Sequence, residues 1–140
     1  MNRIEPGLHL GDIMDARNHA AFERRDVAAV LNVSRSRPDE PYPEDVAVHH
    51  VPLVDGATNV YGDFAEAVDT LRELLASERT VFVHCGAGVS RSVAVTTAAL
   101  AARDGRSPDE ALDRVTDRRP VANPHPHLRQ QAEEYVETRG

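Results

Sequence analysis

The sequence predicts an α/β fold in which a central, mostly parallel sheet is flanked by helices. Three observations lead to this fold class. Short apolar runs alternate with segments of helical periodicity, one apolar run leads directly into a glycine-containing loop, and that loop opens a further helical pattern. With 140 residues and no internal repeat, the chain is expected to form one domain over residues 1–140.

Three segments have the composition of strands. Residues 27–33 form an apolar run between charged residues, residues 46–53 are rich in strand-forming residues, and residues 80–83 are short and mainly apolar. Residues 34–43 combine Ser, Pro and charged residues, which predicts a loop. Open α/β sheets bind ligands beyond the carboxyl ends of their strands, so the residues that follow position 83 are where a site is expected.

Helical periodicity predicts two helices, over residues 62–77 and 93–103, and a final amphipathic helix near the C-terminus. The second is crowded with Ala, Val and Thr, so it can pack closely on both sides behind the loop. The apolar face of the first helix consists of Phe64, Val68, Leu71 and Leu75. The face of the final helix contains Leu128, Ala132 and Tyr135.

The boundaries of one further helix are marked by its residues. Gly105 is expected to end the preceding helix. Ser107 and Glu110 form a capping box, with Pro108 at the first helical position. This helix is expected to stop near Arg118, just before the next proline.

The segment after residue 83 has the features of an anion-binding loop. Backbone N–H groups at the start of a helix have no intrahelical partner, and the helix dipole adds positive potential. Gly86 and Gly88 allow a tight backbone that brings such groups together. The residues assigned to substrate binding are Gly86, Ala87, Gly88, Val89, Ser90 and Arg91.

Cys85, the only cysteine, is the candidate nucleophile. Cysteines at helix N-termini and beside cations ionise readily, which supplies a thiolate without a dedicated base. Arg91, six positions later, can contact phosphate oxygens with two parallel donors. Ser92 can donate a hydrogen bond to the sulfur, and His84 precedes the loop as a supporting residue. A lone cysteine after a strand is more often a core residue, but this spacing favours the reactive interpretation.

The segment His84-Cys85-Gly86-Ala87-Gly88-Val89-Ser90-Arg91-Ser92 resembles the signature of the protein tyrosine phosphatase superfamily. It is most similar to the dual-specificity phosphatases in their compact single-domain form. Residues 4–12, 30–34, 51–55 and 118–131 also resemble segments of that family, so the resemblance covers nearly the whole chain. It implies a catalytic domain that hydrolyses phosphomonoesters through a cysteine, with no cofactor and no metal.

The resemblance implies two further site residues. Asp55 would be the general acid that protonates the leaving oxygen, and Asn123 would steady the phosphate loop. From the residues alone, an Asp before a glycine is more often a turn former, and Asn123 before a proline can be a simple turn. Asp63 is the nearest competitor for the acid, although its position favours a charge at the N-terminus of the helix over residues 62–77.

The seven histidines do not form a recognisable zinc motif. His49 and His50 are adjacent and are expected at a strand edge. His125 and His127 are interpreted as solvated loop residues. Without a second cysteine to complete a sulfur site, no metal is predicted.

The charged residues are unusual, because all 16 basic residues are arginine while 23 acidic residues give a net charge of −7. A GC-rich codon bias with an ordinary acidic surface explains this, and so does an origin in a salt-loving organism. Either way, neither nucleic acid nor an anionic membrane is an expected partner. The single cysteine and the absence of an apolar leader or spanning segment predict a cytoplasmic protein, and oligomeric state is not indicated.

The resemblance implies a phosphatase that acts on phosphorylated proteins or peptides at phospho-Tyr and phospho-Ser/Thr, and this is the functional hypothesis. Phosphatases of this superfamily that act on inositol lipids often carry basic residues in the loop, and this loop has no lysine, so the resemblance makes an inositol lipid a weaker candidate. The acidic balance makes an RNA 5′-phosphate a weaker candidate as well. A phospho-binding module without activity remains a different class of function. A rhodanese-like sulfur transferase also uses a loop cysteine, although its loop usually lacks the Ser-Arg-Ser ending.

Overall fold

The computed structural model describes residues 1–139, which form one five-stranded sheet with helices on both sides. The strands are β1 (Asn2–Glu5), β2 (Leu8–Gly11), β3 (Ala29–Asn32), β4 (Ala47–His50) and β5 (Val81–His84). The helices are α1 (His19–Arg24), α2 (Tyr61–Ala76), α3 (Arg91–Asp104), α4 (Pro108–Arg118) and α5 (Pro126–Arg139). The predicted α/β class is confirmed.

The sheet has the strand order β1-β2-β5-β3-β4, with β1 antiparallel to β2 and every other pair parallel. The central strand β5 is buried at all four positions, as expected for a parallel strand covered on both faces. Its last residue, His84, pairs with Gly11 of β2 and Asn32 of β3. The loops that leave these three strands therefore meet at one edge of the sheet.

Helix α3 is the central helix of the fold. Its residues from Ser92 to Ala102 are all buried, because it packs against the sheet on one side and against α2, α4 and α5 on the other. Small side chains make such close packing possible. A larger side chain at Ala98, which is fully buried, is expected to cost about 1–3 kcal/mol through overpacking.

The boundaries of α2 and α4 lie within a residue or two of the predicted ones. Gly105 ends α3 in the left-handed conformation, with φ of 65°. The Ser107 side chain accepts a hydrogen bond from the Glu110 N–H at 3.1 Å, which confirms the capping box. His49 and His50 lie on the edge strand β4, as expected.

Three features differ from the sequence-based expectation. The β1–β2 hairpin is not among the predicted strands, and Gly7 at its turn has φ of 86°. Helix α1 was not predicted, because it has six residues and buries only Ala21 and Phe22. Strand β4 ends at His50, although main-chain hydrogen bonds to the β3 segment continue as far as Leu53.

None of the helices within residues 1–139 combines the length and the apolar character needed to cross a lipid bilayer.

Candidate active site

Cys85 lies directly after β5, at the edge of the sheet where three loops meet. Its side chain is 2% exposed. The loop of residues 85–90 then turns into α3, which begins at Arg91. The sheet thus places a sulfur atom beneath the N-terminus of the central helix, where backbone donors and the helix dipole favour a negative charge.

The carbonyl oxygens of four consecutive peptide groups in this loop accept hydrogen bonds from residues outside the loop. The acceptors and donors are Gly86 O with Ile13 N at 2.9 Å, Ala87 O with Arg119 Nη2 at 3.3 Å, Gly88 O with Arg119 Nε at 2.6 Å, and Val89 O with Asn123 N at 2.8 Å. A trans peptide group is planar, with its N–H opposite its carbonyl. The N–H groups of Ala87, Gly88, Val89 and Ser90 therefore point away from these partners, into the concave side of the loop.

Gly88 is required by this geometry. Its φ of 67° lies in the left-handed region, which side chains with a Cβ rarely adopt. A Cβ at this position would also lie 2.5 Å from Arg119 Nη2 and 2.5 Å from the carbonyl oxygen of Gly11. The loop can approach β2 and Arg119 this closely only with glycine at position 88.

The nitrogens of the Arg91 guanidinium differ in their hydrogen-bond partners. Its Nη1 donates to the carbonyl oxygen of Leu53 at 3.2 Å, which ties the loop to the segment carrying Asp55. Its Nε is buried and has no hydrogen-bond partner within residues 1–139. Its Nη2 lies close to Gly86, because a Cβ built on that glycine would be 3.3 Å from Nη2. A buried donor without a partner costs about 1–3 kcal/mol, and a bound anion would satisfy it.

Ser92 lies beneath the sulfur. Its Oγ is 3.1 Å from Cys85 Sγ, and the serine is fully buried. A thiolate can only accept a hydrogen bond, so the hydroxyl donates when Cys85 is ionised. Ser92 is therefore placed to stabilise negative charge on the sulfur.

The hydrogen bonds of His84 fix its tautomer. Its Nδ1 is 3.1 Å from the carbonyl oxygen of Cys85, which can only accept, so Nδ1 carries the proton. Its Nε2 then accepts from the Tyr42 hydroxyl at 2.7 Å. Burial of His84 lowers its pKa and keeps the ring neutral, while burial raises the pKa of Tyr42 to about 12. This neutral pair holds the first residue of the loop in place.

Asp55 is exposed in the turn that follows β4, and it lines the same cleft as Cys85. The cleft has a volume of about 630 Å³. Its walls are formed by Asp55, Cys85, Ala87, Val89, Ser90, Arg91, Asn123, Pro124, His125, Pro126 and Arg129. The competing acid, Asp63, lies instead in the first turn of α2 and does not line the cleft.

A buried amide pair anchors the turn that carries Asp55. Asn59 accepts a hydrogen bond from the Val54 N–H at 2.8 Å and donates to Gln131 Oε1 at 2.9 Å. Gln131 Nε2 in turn donates to the carbonyl oxygen of Asn59 at 2.8 Å. Helix α5 thereby fixes the position of the loop opposite Cys85.

The structure brings most of the predicted site residues together around one cleft. Gly86, Gly88, His84 and Ser92 are not among its lining residues. His84 and Ser92 instead contact Cys85, through its carbonyl oxygen and its sulfur. Asn123 contacts the loop through its main-chain N–H, whereas its side chain is exposed.

The interpretation of His125 and His127 as solvated is wrong. Both are half-buried: the His125 N–H donates to Ser90 Oγ at 2.8 Å, and His127 Nε2 donates to the Asn59 carbonyl at 3.1 Å. Sequence reasoning also missed the roles of Tyr42 and Arg119. Their partners lie 42 and 31 positions away along the chain, and no local pattern marks them.

Within residues 1–139, no group of three or more His, Cys, Asp or Glu side chains is arranged to hold a metal ion.

The fold and the loop define an α/β domain with a buried cysteine between a parallel strand and the N-terminus of the central helix, and with a carboxylate lining the same cleft. The chain belongs to the dual specificity phosphatase family, whose catalytic-domain model matches residues 8–138. The resemblance seen in the sequence is thereby confirmed.

Individual relatives agree. Dual specificity protein phosphatase 22 from Homo sapiens is 32% identical over 136 residues, which cover 96% of this chain and 73% of that protein. Dual specificity protein phosphatase 15 from Mus musculus is 29% identical over 136 residues, or 96% of this chain and 57% of that protein. The crystal structure of human DUSP28 matches with a TM-score of 0.86 at 31% identity, covering 98% of this chain and 96% of that one.

The chain spans about half the length of several curated relatives that it matches, with 57% of the mouse and 44% of the human phosphatase 15 covered.

Proposed function

We propose that residues 1–140 act as one catalytic domain that hydrolyses phosphomonoesters through Cys85, with phospho-Tyr and phospho-Ser/Thr of proteins as substrates. One observation carries the proposal. Four loop N–H groups point away from the partners of their carbonyl oxygens, and the loop shares one cleft with Cys85 and with Arg91, whose buried Nε has no hydrogen-bond partner among residues 1–139. Such an array suits the equatorial oxygens of a phosphoryl group in transfer, where charge stabilisation is the main catalytic demand.

In the first step, the Cys85 thiolate attacks phosphorus and forms an S–P bond while the bond from phosphorus to the ester oxygen breaks. The electron pair of that bond leaves with the oxygen, and Asp55 supplies its proton. Arg91 binds two phosphoryl oxygens through Nε and Nη2, the edge that its contact with Leu53 leaves free.

In the second step, water attacks phosphorus and the S–P bond breaks. Asp55, now ionised, accepts a proton from the water. The electron pair returns to the sulfur, where the Ser92 hydroxyl at 3.1 Å donates to it and makes it a better leaving group. Inorganic phosphate is released, and no metal or cofactor enters either step.

The shape and charge of the cleft support a phosphorylated protein or peptide as the substrate. The cleft is open, and its loop interior from Gly86 to Ser90 carries no charged side chain, so a single phosphomonoester is matched better than a polyanionic inositol lipid. The net charge of −7 makes RNA a weaker candidate. The single cysteine fits a cytoplasmic location.

The role of Cys85 is tested with Cys85→Ser. This variant is expected to lose hydrolysis of p-nitrophenyl phosphate, because a serine hydroxyl is not ionised at neutral pH, and to keep phosphate binding, because the N–H groups and Arg91 remain. Hydrolysis by the parent should be inhibited by vanadate. Turnover that persists in Cys85→Ser would exclude the mechanism, and a parent that binds phosphate without turnover would indicate the binding module instead.

The role of Asp55 is tested with Asp55→Asn, which removes the proton donor. The rate is expected to fall by about a hundredfold or more for alkyl phosphates and far less for p-nitrophenyl phosphate, whose leaving group needs no proton. Asp63→Asn is the matched control, since it makes the same change outside the cleft. Equal losses for both substrates in Asp55→Asn would assign the acid to another residue.

A further inference from the structure

Arg119 is the least expected residue near the phosphate loop. It follows α4 directly, is 7% exposed, and lies 31 positions from the nearest loop residue that it contacts. Its guanidinium makes three hydrogen bonds, to Gly88 O at 2.6 Å, Ala87 O at 3.3 Å and Asn2 Oδ1 at 2.7 Å. All three acceptors are neutral oxygens. None of the ion pairs within residues 1–139 includes Arg119.

Burying a guanidinium without a carboxylate partner costs free energy, so its other interactions must compensate for that cost. Two of the four loop carbonyl oxygens that point outward accept hydrogen bonds from Arg119. Gly86 O and Val89 O are held by the main-chain N–H groups of Ile13 and Asn123, which no side-chain change removes. The other two, on Ala87 and Gly88, are held by the side chain of Arg119 alone among the hydrogen bonds of the described residues.

These two peptide groups also have the backbone freedom to flip. Both flank Gly88, which can adopt positive or negative φ at little cost. A flip of either group would turn a carbonyl oxygen into the loop in place of an N–H. That oxygen would repel a phosphoryl group, and one or two donors would be lost.

We propose that Arg119, held by Asn2, is a positioning residue that keeps the 87–88 and 88–89 peptide groups with their N–H groups toward the phosphoryl oxygens. The planar guanidinium holds both carbonyls with two of its nitrogens and Asn2 with the third, a geometry that a lysine ammonium cannot reproduce. Its charge also adds positive potential behind the loop. The inference rests on the proposed function, since it assigns the loop to phosphate.

Inorganic phosphate binding is measured by calorimetry for each variant made in the Cys85→Ser background. The values of kcat and KM for p-nitrophenyl phosphate are measured for each variant with Cys85 intact. Arg119→Met is expected to weaken phosphate binding about tenfold or more and to lower kcat/KM about a hundredfold. Arg119→Lys is expected to restore only part of either quantity. Arg118→Met is the matched control, because that neighbouring arginine is exposed and should leave both quantities unchanged.

Asn2→Ala supplies a second, milder variant that does not touch the loop. It is expected to weaken phosphate binding less than Arg119→Met. The double variant should be no worse than Arg119→Met alone, because Asn2 acts through Arg119. Additive losses would contradict that link.

Unchanged phosphate affinity in folded Arg119→Met, or full recovery in Arg119→Lys, would overturn the positioning role and leave Arg119 a purely structural residue. The binding assay separates this inference from the proposed function. A parent that binds phosphate but does not turn over would contradict catalysis while leaving the role of Arg119 intact. A Cys85→Ser protein that binds no phosphate would overturn both.

Discussion

Gly88 allows the loop of residues 85–90 to adopt its observed backbone without strain. Its φ of 67° and the 2.5 Å approach of Gly11 O and Arg119 Nη2 to a notional Cβ leave no room for another residue. The same backbone turn directs two of the N–H groups into the loop. The geometry of the loop therefore depends on the absence of a Cβ at position 88.

Gly88→Ala is expected to lower the free energy of unfolding by about 1–3 kcal/mol, because the left-handed conformation is strained for alanine. Vanadate inhibition should weaken as well, because the loop must shift to relieve the contacts. Urea unfolding and a vanadate titration measure the two effects. Gly62→Ala is the control: it lies in the first turn of α2 with open space at its Cβ and should be neutral or slightly stabilising. A Gly88→Ala protein with parental stability and vanadate affinity would contradict this description of the loop.

At the residue scale, the sequence predicted which residues lie together in the loop after β5, but not which distant residues hold that loop in place. Cys85, Arg91 and Ser92 are close in sequence, so their spacing alone indicated their relationship. Arg119 lacks such a signal, because an arginine at the end of a helix is equally well explained by the helix dipole. Its contacts with Ala87 and Gly88 depend on how α4 packs, which no local pattern encodes.

The element that carries Asp55 depends on α5 for its position. Asn59 bonds the Val54 N–H on one side and Gln131 on the other, and all three groups are buried or half-buried. The turn between β4 and α2 has little regular structure of its own. Its position opposite Cys85 therefore relies on this amide network.

Asn59→Ala is expected to destabilise the fold by about 2 kcal/mol or more, because the Val54 N–H and the Gln131 amide lose their partners. It should also lower the rate for alkyl phosphates more than for p-nitrophenyl phosphate, because Asp55 is less well positioned. Urea unfolding and the ratio of the two rates measure these effects. Asn18→Ala, which removes the N-cap of α1, is the control and should reduce stability without changing the ratio. A parental ratio in Asn59→Ala would show that the network does not position the acid.

At the element scale, prediction succeeded where local signals were strong. The bounds of α2 and α4 followed from apolar period, from the Ser107 cap and from the Gly105 stop that precedes α4. The β1–β2 hairpin was missed because each of its strands has only four residues, although the Pro6-Gly7 dipeptide at its turn is a local turn signal. Helix α1 has too few turns for a period to be visible.

For the whole molecule, two buried histidines make stability depend on pH. Burial, followed by the charges of Arg25 and Arg3, lowers the pKa of His9 from 6.5 to about 4. Burial also lowers the pKa of His84. In the unfolded chain both rings take up a proton near their ordinary pKa, whereas the folded protein resists it. Stability from these groups is therefore complete above pH 6.5 and is lost as pH falls below it.

The free energy of unfolding is expected to fall between pH 6.5 and about 4, by at most about 1.4 kcal/mol per pH unit for each histidine. Asp15, whose pKa is lowered from 3.8 chiefly by hydrogen bonding that outweighs its burial, contributes only at more acidic pH. Urea unfolding across this range should show a smaller slope in His9→Gln than in the parent. His19→Gln, at an exposed position, should keep the parental slope. An unchanged slope in His9→Gln would contradict the conclusion that burial keeps the His9 ring neutral in the folded protein.

At the scale of the whole molecule, the order of strands and helices along the chain was enough to predict a mostly parallel sheet, because alternation and short connections restrict the topology. Composition was less informative. A lysine-free chain with a net charge of −7 is compatible with more than one kind of source, and no contact in the fold distinguishes them.

The proposed mechanism requires that Cys85 carries the phosphoryl group during turnover. Rapid-quench mass spectrometry of Ser92→Ala with p-nitrophenyl phosphate measures this directly. Loss of the Ser92 hydroxyl is expected to slow breakdown of the thiophosphate more than its formation. The expected product is a protein whose mass is increased by one phosphoryl group, located on Cys85 after digestion and absent from Cys85→Ser. Turnover without that adduct, or a phosphoryl group on another residue, would contradict the mechanism.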